Sequence, residues 1–199
     1  MALESLLPLA LFAIVSTITP GGATTLATAS GAQFGFRRSV PLMAGIAVGL
    51  ALLAAAAAAG LASLLLAAPS LQLIMKLAGT AYLLWLASKI GRSGPPSLDR
   101  NLARPTSFVG GACLLLLNPK GWTMALGAAA SFALLASNPL HLAVLLGSVL
   151  GLASALSLSL WCATGLMLAR LLRSERQWCV LNATLGILLA LSILPMWLA

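Results

Sequence analysis

The sequence predicts an all-α integral membrane protein that crosses the bilayer six times, with both termini on the external face. Three observations predict it. The 199 residues are 61% hydrophobic and only 7% charged, against about 25% charged in a soluble domain. Apolar stretches longer than the ~20 residues that span a hydrocarbon core recur along the whole chain. They are Leu, Ala and Gly runs without strand alternation, so helices rather than a barrel must satisfy the backbone in lipid. Finally, the connections carry Lys and Arg only at alternate positions along the chain.

Taken in order, the spans cover about residues 5–30, 39–67, 70–90, 106–136, 141–172 and 177–198. Arg37 and Arg38 lie between the first and second. Lys89, Arg92, Arg100 and Arg104 flank or occupy the link between the third and fourth. Arg170, Arg173 and Arg176 mark the link between the fifth and sixth. The connections at Ala68-Pro69 and Ser137-Asn138-Pro139 carry no Lys or Arg. Basic links are cytoplasmic by the positive-inside rule, which puts both ends outside. The longest polar link contains Gly94-Pro95-Pro96-Ser97 and reads as a short cytoplasmic linker. Residues 1–199 thus form a single transmembrane domain, with half-repeats at about 1–93 and 105–199.

Several function classes drop out. The formal charge of +8 sits in short loops and forms no basic face for nucleic acid. The first residues carry Glu4 and no Lys or Arg, so the basic region of a secretory signal is missing. Cys113, Cys162 and Cys179 are far apart and show no CxxC or Cys/His spacing, which leaves them as small packing residues. No metal, cofactor or catalytic set is expected.

The two halves carry matching motifs. Span 1 contains Thr19-Pro20-Gly21-Gly22-Ala23-Thr24, and span 4 contains Asn118-Pro119-Lys120-Gly121-Trp122-Thr123. Both read as a polar residue, Pro, any residue, Gly, any residue and Thr. Farther on, Gly45 to Leu50 and Gly147 to Leu152 are both GxxxGL, and Gly79 corresponds to Gly186. With three spans per half, the second half runs inverted through the membrane. That is the 3+3 plan of many secondary transporters, whose sites lie where interrupted helices meet. Each Pro removes a donor and interrupts its helix, and Gly21 and Gly22 release the chain further. The resulting half-helix ends offer amides to an anion and carbonyls to a cation. A zwitterionic amino acid suits that pair, and so do other ions. The GxxxG faces on spans 2 and 5 allow close helix approach within the chain and permit a homodimer.

Lys120 is the most informative residue, because an ammonium deep in an apolar span is costly and marks function. The acids Glu4, Asp99 and Glu175 all lie at span ends or in links. Lys120 therefore meets exposed carbonyls of span 1, binds a substrate carboxylate, loses its proton, or snorkels to an interface. Lys76 lies nearer the external side, and His141 reads as a solvated end. Tyr82, Trp85 and Trp122 either pack or line a pore, and Trp161 reads as core packing.

These residues resemble the LysE/RhtB family of amino-acid exporters. The family's Pro-Gly-Pro break corresponds to TPGGATT, its Lys-x-x-Gly-x-x-Tyr-Leu segment to Lys76, Gly79 and Tyr82 in MKLAGTAYLLW, and its Asn-Pro-Lys motif to LLNPKGW. The likeness covers essentially the whole chain. It implies a proton-driven exporter of amino acids or related small zwitterions, held in membrane lipid. The substrate site would comprise Thr19, Pro20, Gly21, Gly22, Thr24, Asn118, Pro119, Lys120 and Tyr82, with Lys120 or Lys76 as the coupling group. A passive channel on the same helices is the alternative, although no charged ring or carbonyl filter is visible. Two departures stand out. Gly22 replaces the family's second Pro, which would loosen the break and bear on substrate choice or the gate. Ala23 and Thr24 stand where many members have Asn or Asp, so that carboxylate is lacking.

Overall fold

The Leu- and Ala-rich runs form helices that carry Pro8 and Pro41 within them but break at the motifs containing Pro20 and Pro119. In a computed structural model, which describes residues 3–61, 69–92, 105–136, 138–194 and 197, eight α-helices result. They are α1 (Leu3–Ile18), α2 (Gly22–Phe34), α3 (Phe36–Ala56), α4 (Pro69–Gly91), α5 (Phe108–Leu116), α6 (Pro119–Ser131), α7 (Pro139–Leu171) and α8 (Glu175–Leu191). No strand occurs among the described residues.

The two Pro motifs do interrupt their spans. The first span becomes α1 and α2, bent by 57° across residues 19–21. The fourth becomes α5 and α6, separated at residues 117–118. Phe36–Gly60 and Pro139–Leu171 are each long and apolar enough to cross a membrane, and the bent pair of α1 and α2 meets that test together. At 1.5 Å per residue α7 is about 50 Å long, well beyond a ~30 Å hydrocarbon core. The second span is described as far as Leu61, its expected remainder to Ala67 lying outside the described residues. After Ala56 it passes into a π-helical turn, Ala57–Leu61, in which Gly60 takes φ +111. In the sixth span, α8 is capped at Ser192, and Leu194 and Trp197 beyond it are again helical. The Gly94–Ser97 linker with Arg100 and Arg104 lies outside the described residues, as do Ala68 and Ser137.

Polar residues start the helices where capping chemistry predicts. Asn138 accepts from the Leu140 amide at 2.8 Å, with Pro139 as the first helical residue of α7. Ser174 accepts from the Gln177 amide at 3.3 Å, while Gln177 Oε1 accepts from the Ser174 amide at 3.1 Å, a reciprocal capping box.

α3 packs along α7 and against α5; α2 packs along α7 as well, and α4 pairs with α8. Glycine makes these approaches feasible. A Cβ on Gly31 would fall on the Cys162 carbonyl, and one on Gly165 would fall on that of Thr28, so α2 and α7 cross backbone to backbone. Gly45 and Gly111 do the same for α3 and α5, against the carbonyls of Phe108 and Leu42. Gly147 and Gly151 bring α7 onto Ala51 of α3. Both GxxxG faces are therefore used inside the chain. The helices enclose a core that includes Leu9, Leu42, Ile46, Leu83, Leu114, Leu146, Leu150, Leu158 and Leu189, each almost fully buried. Cys162 is buried there as a packing residue, whereas Cys113 and Cys179 are exposed on the helix surface.

Candidate functional site

The break after Ile18 strands the carbonyls of the last turn of α1. In a continuous helix each would take the N–H four residues on. Here Pro20 has no N–H, and the Gly21 amide turns to Thr24 Oγ1 at 2.8 Å. Three of the stranded carbonyls are covered from the other half of the chain. Ser157 Oγ donates to Thr17 O at 2.8 Å, and Trp161 Nε1 donates to Ile18 O at 3.1 Å. Lys120 Nζ donates to Thr19 O. The first of the alternatives for Lys120, exposed carbonyls of span 1, is thus the one the structure displays. Thr19 and Thr24 serve the break locally. Thr19 Oγ1 donates to Val15 O at 2.6 Å, and Thr24 Oγ1 donates back to Gly21 O at 2.9 Å.

The break of span 4 closes within its own half. Asn118 caps α6 by accepting from the Lys120 amide at 3.1 Å, with Pro119 at the first helical position. Trp122 Nε1 donates to Leu116 O at 2.7 Å and satisfies the end of α5. The aligned motifs are therefore built differently. Asn118 is itself the cap, whereas its counterpart Thr19 lies two residues before Gly21, the N-cap of α2.

The two breaks meet. A Cβ on Gly21 would sit 3.1 Å from Lys120 Cδ, and one on Gly22 would sit 3.4 Å from Asn118 Nδ2. The same Gly22 position faces Leu189 Cδ1 at 3.1 Å and Leu83 Cδ2 at 3.4 Å, so α8 and α4 close onto the break where the side chain is missing. Two helix N-termini and one ammonium converge here, a field that favours an anion.

Beside the junction is a cavity of about 30 Å³. Ser16, Thr17, Thr24, Asn118, Lys120 and Ser154 supply its polar wall; Ile46, Leu50, Leu115, Met124 and Leu158 supply the apolar one. It has room for a water or two and is roughly a tenth of the ~300 Å³ at which small-molecule pockets begin.

Of the residues singled out from sequence, Gly21, Thr24, Asn118 and Lys120 line the cavity, while Gly22 and Pro119 adjoin it through Asn118. Thr19 and Pro20 are exposed beside it. Tyr82 is not part of the wall; it stacks on Trp85 with ring centroids 5.8 Å apart, next to Lys89, which lies over the Trp85 ring. Gly79, one turn earlier, lets α4 press against the Leu117 carbonyl of the break. The side chain of Lys76 lies outside the described residues. Sequence reasoning missed Ser154 and Ser157, and read Trp161 as packing alone. Their spacing of three and four residues on α7 places all three along one helical face, which is the signal that could have found them.

The family model described as LysE type translocator matches residues 14–192. Over 178 residues, 89% of this chain and 90% of the relatives, the sequence is 29% identical to the cysteine/O-acetylserine efflux proteins of Escherichia coli (strain K12) and of Shigella flexneri serotype 5b (strain 8401). The same holds for that of Escherichia coli O139:H28 (strain E24377A / ETEC). No solved structure matches the chain significantly. A translocator with apolar helices of this kind is a multi-pass membrane transport protein and not an enzyme. The chain belongs to the LysE type translocator family.

Proposed function

We propose that the chain exports small neutral amino acids or closely related zwitterions across the bacterial inner membrane, in six spans arranged as two inverted halves. The observation that carries this reading is the meeting of Lys120 and Asn118 with the Gly21-Gly22 break, which gathers two helix N-termini and one half-buried Lys at one point. A carboxylate is the anion such a site would take from an amino acid. The relatives' names, cysteine and O-acetylserine efflux, point to the same class. Among the residues lining the cavity, Lys120 is the charged one, and the rest of the wall is neutral, which suits a neutral side chain.

The pairing of α3 with α7 and of α4 with α8 supports the inverted plan, because those are the pairs that a two-fold relation between the halves would join. Export follows if the halves rock about the α3–α7 contact and open the cavity to one side at a time. Proton coupling is part of the proposal. The acids lie outside the spans, so Lys120, or secondarily Lys76, is the group we assign to it.

Efflux of radiolabelled cysteine and O-acetylserine from cells lacking their own exporters tests this. Wild type should lower the internal pool, and a protonophore should abolish the effect. Lys120→Met should cut the rate at least about tenfold and flatten its pH dependence, with Lys120→Arg partly active. Wild-type rates and pH profiles in both variants would refute the role of Lys120.

A further inference from the structure

The break of span 1 leaves four carbonyls without helical donors, and the second half of the chain covers three of them. The fourth belongs to Ser16. In a helix its partner would be the N–H of residue 20, which is proline and has none. No donor reaches it among the described residues. Ser16 lines the cavity, and so does Ser154 of α7. Ser154 is 5% exposed, and its hydroxyl makes no hydrogen bond among the described residues. That is unusual for a helical serine. Its neighbour Ser159 bonds back to Ala155 O at 2.7 Å, and Ser157 reaches across to Thr17 O. Polar groups on an enclosed wall are normally paired, and these two keep their capacity for a donor that enters the cavity. Two unspent oxygens on one small cavity call for a donor from outside the protein.

We propose that the Ser16 carbonyl and the Ser154 hydroxyl form the subsite for the ammonium group of the transported amino acid, with Lys120 and the α2 amides taking its carboxylate. The inference rests on the export reading above. It adds a second pole to the site and a rule of selection. Both ends of the zwitterion are read: the carboxylate by a cation and helix amides, the ammonium by two neutral oxygens. The cavity has no acidic residue in its wall, so a second positive charge on the substrate side chain would find no counter-ion. Basic amino acids should therefore be rejected, and molecules that lack the ammonium should bind weakly although their carboxylate still fits. A sodium ion would present the same cationic chemistry to these oxygens, and the experiment separates the two.

The test uses the full-length protein in liposomes, with exchange of L-cysteine and of O-acetyl-L-serine as the readout. Competition is measured with 3-mercaptopropionate, which lacks the ammonium, and with L-lysine. In wild type, L-cysteine should compete at least about tenfold better than 3-mercaptopropionate, and L-lysine hardly at all. Ser154→Ala should shrink the preference for L-cysteine about tenfold, the scale of one hydrogen bond to a charged group. Binding of 3-mercaptopropionate should stay as it was, and Ser154→Thr should restore the preference. A wild-type preference near one would overturn the assignment without recourse to any variant. So would an equal loss for both competitors in Ser154→Ala, which would mark the residue as structural. Exchange that requires sodium, and loses that requirement in Ser154→Ala, would assign the oxygens to the ion instead. Wild-type protein that exchanges no neutral amino acid would overturn the export reading and this subsite together.

Discussion

Ser157→Ala removes one oxygen atom and tests whether α7 holds the broken end of α1. The hydroxyl donates to the Thr17 carbonyl at 2.8 Å, and Ser157 is 4% exposed. Removing it leaves a buried main-chain acceptor without a partner, because the amide that would normally serve, that of Gly21, is committed to Thr24. The cost of one such orphan is about 1–3 kcal/mol. For a chain of this size each kcal/mol moves the melting temperature by about 2–4 °C, so a fall of about 4–8 °C is expected at the middle of that range. The assay is thermal unfolding of purified protein in one detergent. Ser159→Ala, whose hydroxyl bonds only to Ala155 O in its own helix, is the control and should shift by less than about 1 °C. Ser157→Ala melting within about 1 °C of that control would refute the clamp. So would a water-soluble thiol reagent that labels Thr17→Cys equally fast in wild-type and Ser157→Ala backgrounds.

Further expectations concern the glycines. Gly31→Ala and Gly165→Ala each put a Cβ on a main-chain carbonyl that cannot swing aside, so both should abolish recovery of monodisperse protein, read by size-exclusion profile. Gly127→Ala, whose Cβ would find only Phe12 Cζ at 3.9 Å, should behave as wild type. Gly22→Pro should fold, because Gly22 is the first residue of α2, where proline is favoured, and Gly21 before it is already extended at φ −177. The lost freedom of the unfolded chain is worth about 0.4–1 kcal/mol, and a Leu189 methyl must give by a few tenths of an ångström; a melting temperature more than about 2 °C below wild type would refute it.

What could be read from sequence was set by covalent chemistry. Proline lacks an N–H wherever it stands, so Pro20 and Pro119 announce both interruptions. A Lys in an apolar span is conspicuous for its charge alone. The partners of those features were not legible. Asn118-Pro119 and Asn138-Pro139 are the same dipeptide and make the same cap, yet the first is buried against Gly22 and the second lies exposed at the start of α7. Nothing local distinguishes them. Ser154, Ser157 and Trp161 sit in a long Leu-rich helix, where serine is tolerated and tryptophan is ordinary packing. Ser157 and Trp161 gain their significance from carbonyls about 140 positions earlier in the chain, and only the fold brings those together. The match of the two Pro motifs also concealed a difference of two residues in where the second helix begins.

That difference bears on how the halves depend on each other. In span 4 the broken end is satisfied by Asn118 and Trp122, both within a few residues, so its hydrogen bonds survive any movement of the first half. In span 1 the Thr17, Ile18 and Thr19 carbonyls rely on Ser157, Trp161 and Lys120, all from the second half. Separating the halves at this point exposes three acceptors together, in a place where the hydrocarbon offers no donors. Water must enter with the separation, or the substrate must supply its own N–H groups. A site that can be opened cheaply only by hydration or by a donor-rich ligand couples occupancy to movement, which is the property an exporter requires and a permanently open pore does not.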